Sequence, residues 1–211
     1  MNIENEKLTD TVDAMSSQVE QPTVESNMIV KTIRDWVLVI AAALVIALLV
    51  RMFVLQQFYI SGPSMESTLY QDNRVLVNKL SYRLHGIGRG DVVVFDRVTS
   101  NGQQIQHDDL IKRVIGLSGD VIEIKDCVVL VNDQPISEPY LNSYDLAQES
   151  LEDRCRVPVM AAQTVPEDKI FVMGDNRPQS FDSRMFGPIS EDLVVGRAFV
   201  VIWPISALTL L

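Results

Sequence analysis

Ser64 and Lys112 are the side chains of this chain whose types and settings allow covalent chemistry without outside help. Ser64 lies in Ser61-Gly62-Pro63-Ser64-Met65. Glycine and proline together impose a turn there. Such a turn can present a hydroxyl beside unpaired N–H groups, which is the geometry acyl transfer needs. On its own this is a weak signal, because a serine in a Gly-Pro turn is usually only a turn residue. Lys112 lies in the strand-like run Leu110-Ile111-Lys112-Arg113-Val114-Ile115. A lysine in such a run normally faces solvent. If alternation turns it inward, the ammonium loses hydration and its pKa falls. A free lysine, with a pKa of about 10.4, is only about a tenth of a percent neutral at pH 7.4; a fall of about 2–3 pH units supplies a useful fraction of free amine. That amine could take the proton from Ser64 during attack on a carbonyl, a Ser–Lys variant of the serine-protease triad.

Other chemistries find little support. The chain of 211 residues has two histidines, His85 and His107, and two cysteines, Cys127 and Cys155, with no CxxC spacing. Such scattered ligands do not make a metal site. Neither GxGxxG nor GxxxxGK[ST] occurs, so neither a metal nor a cofactor is expected. Eighteen basic residues against 28 acidic ones give a net charge of -10. Nucleic-acid binding needs clustered cations to displace counterions from phosphates, and no Lys/Arg-rich run is present. His107, followed by Asp108 and Asp109, reads as a solvated loop histidine.

The elements that must position Ser64 and Lys112 fall into three parts. Residues 1–28 are acidic and lack aromatics, so they read as a disordered tail. Residues 29–55 contain the uninterrupted apolar run Trp36 to Val50, continued past Arg51 through Leu55. That reaches the roughly 20 residues needed to cross a bilayer. A buried helix would carry a polar stripe, and a cleaved secretory signal would open on a short basic region rather than an acidic one. A permanent anchor fits better, with Lys31 and Arg34 before it and Arg51 at its end placing the N-terminus on the cytoplasmic side. Residues 56–211 hold short β-branched runs bounded by turn residues: 74–77, 91–95, 121–124, 128–131, 170–173 and 194–203. Val131-Asn132-Asp133-Gln134 reads as a hairpin turn. The expected fold is mainly β: one transmembrane helix, then an all-β antiparallel catalytic domain with a smaller inserted region near 126–168, loop-rich from Ser137 to Glu167.

Four blocks in this order resemble the type I signal peptidases: SGPSMESTL at 61–69, RGDVVVF at 89–95, KRVIGLSGD at 112–120 and GDNRPQSFDSR at 174–184. The last block is long and mixed in composition, so chance agreement is improbable. The resemblance covers about residues 35–204 and implies a membrane-anchored serine endopeptidase with its catalytic domain on the outer face of the cell membrane. It implies Ser64 as nucleophile, Lys112 as general base, and Ser180 as the hydroxyl that orients the lysine. Gly62 stands where many members carry an oxyanion-hole serine, which leaves that work to the Ser64 N–H. Arg113, Asp175, Asp182 and Arg184 match the ionic scaffold of the site. Phe58, Ile60, Met65, Leu69 and Ile111 match the walls of shallow pockets for small residues at −1 and −3. The implied partners are exported preproteins with signal peptides, the lipid bilayer and the nearby Sec or Tat export machinery.

Two positions depart from the family pattern. Ser67 and Ser118 stand where proline is usual, and a small stability cost is expected at each. If the domain faces an oxidising compartment, Cys127 and Cys155 can pair across 28 residues. Two other functions fit parts of the sequence. A self-cleaving LexA-type protein would share the Ser–Lys pair, but it would carry a DNA-binding segment and a scissile Ala-Gly or Cys-Gly bond ahead of Ser64. A catalytically inactive anchored β-domain that binds signal peptides would have no reason to keep Ser64, Lys112 and Ser180 together.

Overall fold

The computed structural model describes residues 24–100, 102, 105–143, 147 and 150–211. The expected acidic tail therefore lies, for residues 1–23, outside the described residues. Helix α1 spans Val24–Phe53. It begins ahead of the expected residue 29 because nothing from Val24 to Met28 interrupts a helix; the nearest breaker upstream is Pro22. Met28–Arg51, 24 residues, is long and apolar enough to cross a membrane. At 1.5 Å per residue it is about 36 Å long, against a hydrocarbon core of about 30 Å. Its apolar side chains are exposed on every side, with no polar stripe for a soluble core to cover.

The remainder, from Leu49 onward, is a separate compact unit. Its strands are β1 (Leu55–Tyr59), β2 (Arg74–Asn78), β3 (Val92–Ser100), β4 (Ile105–Gly116), β5 (Val121–Lys125), β6 (Val128–Val131), β7 (Gln134–Pro135), β8 (Met160–Thr164), β9 (Lys169–Met173), β10 (Ile189–Ser190), β11 (Val194–Trp203) and β12 (Thr209–Leu210). Among the described residues they form two antiparallel sheets. One runs β1-β2-β11-β3-β4-β9-β10, with β12 added to β11; the other runs β7-β6-β5-β8. The fold is mainly β, as the runs of Val and Ile imply. Leu55, read from sequence as the end of the anchor, instead opens β1. Strand β8 falls in the stretch expected to be loop-rich, because Met160-Ala161-Ala162-Gln163-Thr164 carries little β-branched signal and is held by pairing with β5. His107 lies on β4 rather than in a loop, with Nδ1 2.6 Å from the Asp96 carboxylate on β3.

The large sheet buries two clusters. Ile60, Met65, Leu69, Val75, Val77, Val92, Val94, Ala198 and Val201 form one; Val93, Phe95, Val114, Ile170, Val172 and Ile189 form the other. Alternate residues of β3 thus serve opposite faces, the period-2 signature of a strand. The second sheet has its own core around Ile122, Ile124, Val129 and Phe171. Its β6–β7 turn places Asn132 and Asp133 at φ of 53° and 62°, the left-handed pair of a tight hairpin. Cys127 and Cys155 are joined by a disulfide that closes this region.

Among the described residues, two stretches of sheet edge lack a second partner. β1 pairs only with β2, and Ile105 to Lys112 of β4 pair only with β3, since the β4–β9 ladder starts at Arg113.

Ser118 sits in the turn Leu117 to Asp120, closed by the Asp120 N–H to the Leu117 carbonyl at 3.0 Å, with Gly119 at φ 83°. That is the turn type in which proline suits the second position. Ser118→Pro is expected to raise stability by about 0.4–1 kcal/mol through the unfolded chain. Thermal denaturation checks this; a lower Tm would contradict it.

Candidate active site

The turn that follows β1 carries Ser64. It is built from short local bonds: the Glu66 N–H to the Pro63 carbonyl at 3.0 Å, and the Thr68 and Leu69 N–H groups to the Met65 carbonyl at 3.0 and 2.8 Å. Gly62 lies at φ 94° and Ser67 at φ 82°, both left-handed. At Gly62 this explains glycine. At Ser67 it means proline, fixed near φ −65°, could not adopt the observed turn. Ser67 is therefore not a simple loss of stiffness at a proline position, because the backbone here is one that proline cannot adopt. Met65 and Leu69 anchor the turn in the core, both essentially inaccessible.

Lys112 lies in the middle of β4, where both faces are covered. The strand is buried without interruption from Lys112 to Gly116, so alternation does not account for the burial of Lys112; it pairs with Val93 of β3, and its side chain runs under the Ser64 turn. Only 3% of Lys112 is exposed. Its Nζ donates to Ser64 Oγ at 2.9 Å and to the Ile111 carbonyl at 2.9 Å. Loss of hydration drives its pKa down to about 8; the carboxylates of Asp182 and Asp175 oppose this, and the charge of Arg97 assists it. At pH 7.4 roughly a fifth of the molecules then hold a neutral amine against Ser64.

Behind the pair stands a buried ionic framework. Arg113, next to the lysine and on the opposite face of β4, donates from Nε and Nη2 to Asp175 at 2.9 and 2.7 Å. It also donates to the Gly90 carbonyl and to Thr68 Oγ1. Thr68 Oγ1 in turn donates to Asp175 at 2.5 Å, tying the serine turn to the loop after β9. Asp182 is fully buried. Burial alone would raise its pKa, but hydrogen bonds from Arg184 and that residue's charge reverse this and hold the carboxyl below the usual range. It also accepts the Gly174 N–H at 3.0 Å. Replacing Arg184 by Met leaves that carboxylate uncompensated, and a loss of about 3–5 kcal/mol is expected in denaturant unfolding. A loss under about 1 kcal/mol would show that Asp182 does not depend on Arg184.

The loop after β9 also fixes the serine backbone. The Asn176 N–H donates to the Ser64 carbonyl at 3.1 Å. Gly174 packs so closely that a Cβ there would lie 2.2 Å from the Ser64 carbonyl oxygen and 2.3 Å from Ser180 Oγ.

Of the residues singled out in sequence, Ser64 and Lys112 meet, as do Arg113 with Asp175 and Asp182 with Arg184. Phe58, Ile60 and Ile111 line a cavity of about 100 Å³ beside Ser64 and Lys112. Three expectations need correction. Met65 and Leu69 do not line that cavity, because the turn points them into the core under β2 and β3. Ser180, fully buried, does not bond to Lys112. The lysine hydrogen bonds go to Ser64 and Ile111, and the buried Ser180 Oγ has no hydrogen-bond partner among the described residues. Sequence reading missed Val94 and Asp109 in the cavity wall, and Thr68, Gly174 and Asn176 behind the turn. For Thr68, Val94, Gly174 and Asn176 the signal was their place inside three of the four blocks; Asp109 carried none.

Comparison with known proteins adds the family context. A family described as signal peptidase, peptidase S26, matches residues 33–203. Signal peptidase IB of Staphylococcus aureus strain COL is 38% identical over 184 residues, covering 83% of this chain and 92% of the relative. A probable signal peptidase I-2 of Synechocystis is 36% identical over 169 residues, covering 80% of this chain and 72% of the relative. The crystal structure of a signal peptidase I from Enterococcus faecalis V583 is 31% identical, covers 53% of this chain and 95% of that one, and superposes with a TM-score of 0.39.

Proposed function

This chain belongs to the signal peptidase family, peptidase S26, and from that membership we propose that it cleaves preproteins by a Ser64–Lys112 mechanism at the outer membrane face. As a signal peptidase I it is a serine peptidase acting on preproteins that carry signal peptides. The observation that carries the mechanism is the 2.9 Å contact from a buried Lys112 Nζ to Ser64 Oγ.

The steps follow from that contact. Ser64 Oγ attacks the carbonyl carbon of the scissile bond while neutral Lys112 takes the hydroxyl proton. The oxyanion formed needs a donor, and the Ser64 N–H has no acceptor among the described residues, so it is free for that role. The lysine ammonium is transient, and Asp182 and Asp175 ease its formation. Collapse breaks the C–N bond; the proton passes from Lys112 to the leaving amine, and the acyl group stays on Ser64. Lys112 then deprotonates a water that attacks the ester, releasing the signal peptide as a carboxylic acid and restoring Ser64.

Specificity for small residues at −1 and −3 is supported by the cavity beside Ser64. Its volume is about 100 Å³, and Phe58, Ile60, Val94 and Ile111 give it apolar walls. An extended substrate finds two unpaired edges there, β1 and the first part of β4, which suits recognition by strand addition. Membrane anchoring by Met28–Arg51 rests on length and apolarity. The Cys127–Cys155 disulfide favours an oxidising, extracytoplasmic setting, where substrates emerge from the Sec or Tat export machinery.

The test uses full-length protein in detergent with a preprotein carrying Ala at −1 and −3. Wild type is expected to cut one bond, Ser64→Ala to cut none, and Phe at −1 to slow wild type by at least about 100-fold. Equal cleavage of the Phe substrate would remove the assigned cavity from specificity, and an active Ser64→Ala would remove the nucleophile.

A further inference from the structure

We propose that the segment Glu138–Tyr140 is a positioning strap for the nucleophile turn, acting through Ser67, Arg113 and Arg177. The inference rests on Ser64 being the nucleophile and Lys112 its base.

The strap grips the site's support at three points. Ser67 Oγ donates to the Tyr140 carbonyl at 2.6 Å, across 73 residues of sequence. The Tyr140 ring lies under the Arg113 guanidinium, 3.9 Å from Cζ to the ring centroid, a close cation–π contact. Glu138 accepts from both Nη atoms of Arg177, the first at 3.0 Å, with both residues almost inaccessible. Arg177 Nε donates to the Gly174 carbonyl at 3.1 Å. The Tyr140 hydroxyl donates to Glu138 at 2.9 Å, which closes the strap on itself. Burial, with the neighbouring Glu138 charge, raises the Tyr140 pKa, so the phenol remains a donor throughout the working range.

These contacts converge on one mechanical problem. Ser67 is a non-glycine residue in the left-handed region three positions after the nucleophile, a conformation that costs on the order of 1 kcal/mol or more and persists only when surroundings impose it. The local turn bonds do not involve the Ser67 side chain; the strap supplies its partner. The same strap presses on Arg113, which fixes Thr68 one residue further along. Ser67, where proline is usual in the family, thus exchanges built-in stiffness for an external tie. The strap residues Pro139 and Tyr140 share an open cavity of about 610 Å³ with Ser67, Thr68 and Arg113, the groups they hold.

A positioning role has a kinetic signature that loosened folding does not. Misplacing a reacting group by about 1 Å costs on the order of 100-fold in rate. Full-length Ser67→Ala, Ser67→Gly, Tyr140→Ala and Tyr140→Phe should be compared with wild type for kcat, KM, pH profile and Tm, with Ser64→Ala in parallel. Ser67→Ala and Tyr140→Ala are expected to lower the kcat plateau roughly 10- to 100-fold. KM should stay within about 3-fold, and the acidic limb should remain where wild type has it. Tyr140→Phe keeps the ring and the main-chain carbonyl and is expected to stay within about 3-fold of wild type. Ser67→Gly relieves the backbone strain but lacks the hydroxyl, and is expected to fall with Ser67→Ala. The proposal is overturned if Ser67→Ala and Tyr140→Ala both keep wild-type kcat. It is also overturned if their loss comes with an acidic limb moved toward the ordinary lysine range, which would signal a loosened core instead. An active Ser64→Ala would sink the underlying catalytic reading, whereas a dead Ser64→Ala beside fully active strap variants would sink the strap alone.

Discussion

Lys112→Met is expected to abolish turnover and, at the same time, to make the protein more stable. Both effects have one cause. Lys112 is buried, and its pKa is pushed from its ordinary 10.5 to about 8. Removing a triad member in other serine peptidases lowers kcat by about 10⁴- to 10⁶-fold, and a loss in that range is expected here. The stability gain follows from linkage. Between pH 8 and 10.5 the unfolded lysine binds a proton that the folded one does not, so wild-type stability rises with pH across that window. Below pH 8 the fold carries the whole penalty of the displaced pKa, about 3 kcal/mol at about 1.4 kcal/mol per pH unit. Above 10.5 the penalty vanishes. Methionine has a similar reach, no charge and an adaptable thioether. The variant's Tm is therefore expected to exceed that of wild type at pH 6.5, and the difference to shrink as the pH approaches 10.5. A Met variant less stable than wild type at pH 6.5 would show that the amine's two hydrogen bonds outweigh its desolvation.

Gly174→Ala carries the second large effect, and its origin is steric. The added Cβ would lie 2.2 Å from the Ser64 carbonyl oxygen, a backbone atom that cannot rotate away. The same carbonyl is held by the Asn176 N–H. Relief requires the serine turn to move away from the loop after β9, carrying Ser64 out of line with Lys112. A kcat loss of at least about 100-fold is expected, with about 1–3 kcal/mol of overpacking strain in unfolding experiments. Ser180→Gly as a second change removes the other clash, at 2.3 Å from Ser180 Oγ, but leaves the first untouched, so it is not expected to restore activity. Full activity in Gly174→Ala would show that the turn tolerates displacement and that the contact is incidental.

How much of the molecule was legible in the sequence varies by the range of the interaction. The runs 74–77, 121–124, 128–131 and 194–203 became strands because β-branched residues bounded by turn formers carry their own signal. The turn at Asn132-Asp133 was equally local. The Ser64 turn and the Lys112 strand were recognisable as blocks, yet the 2.9 Å contact between them spans 48 residues and exists only once β4 is placed beside the turn. Residues whose roles depend wholly on such long-range contacts could be placed in a block but not given a role. Thr68 reaches Asp175 across 107 residues, and Ser67 reaches Tyr140 across 73. Met65 and Leu69 were misassigned to the pocket for a related reason. An apolar residue next to a nucleophile can face either cleft or core, and only the path of the turn decides between them. Ser180 shows the converse: its place in a recognisable block suggested a bond to the lysine, whereas the amine donates to Ser64 and a main-chain carbonyl.

Observing the ε position of Lys112 by NMR as pH is raised in the intact, detergent-solubilised enzyme probes the proposed general base itself. Selective carbon labelling, with Lys112→Met to assign the signal, isolates it from the other lysines. The expected midpoint is about 8, coinciding with the acidic limb of kcat/KM. A midpoint at the ordinary 10.5 would mean that the amine stays charged at working pH and that some other group accepts the proton from Ser64.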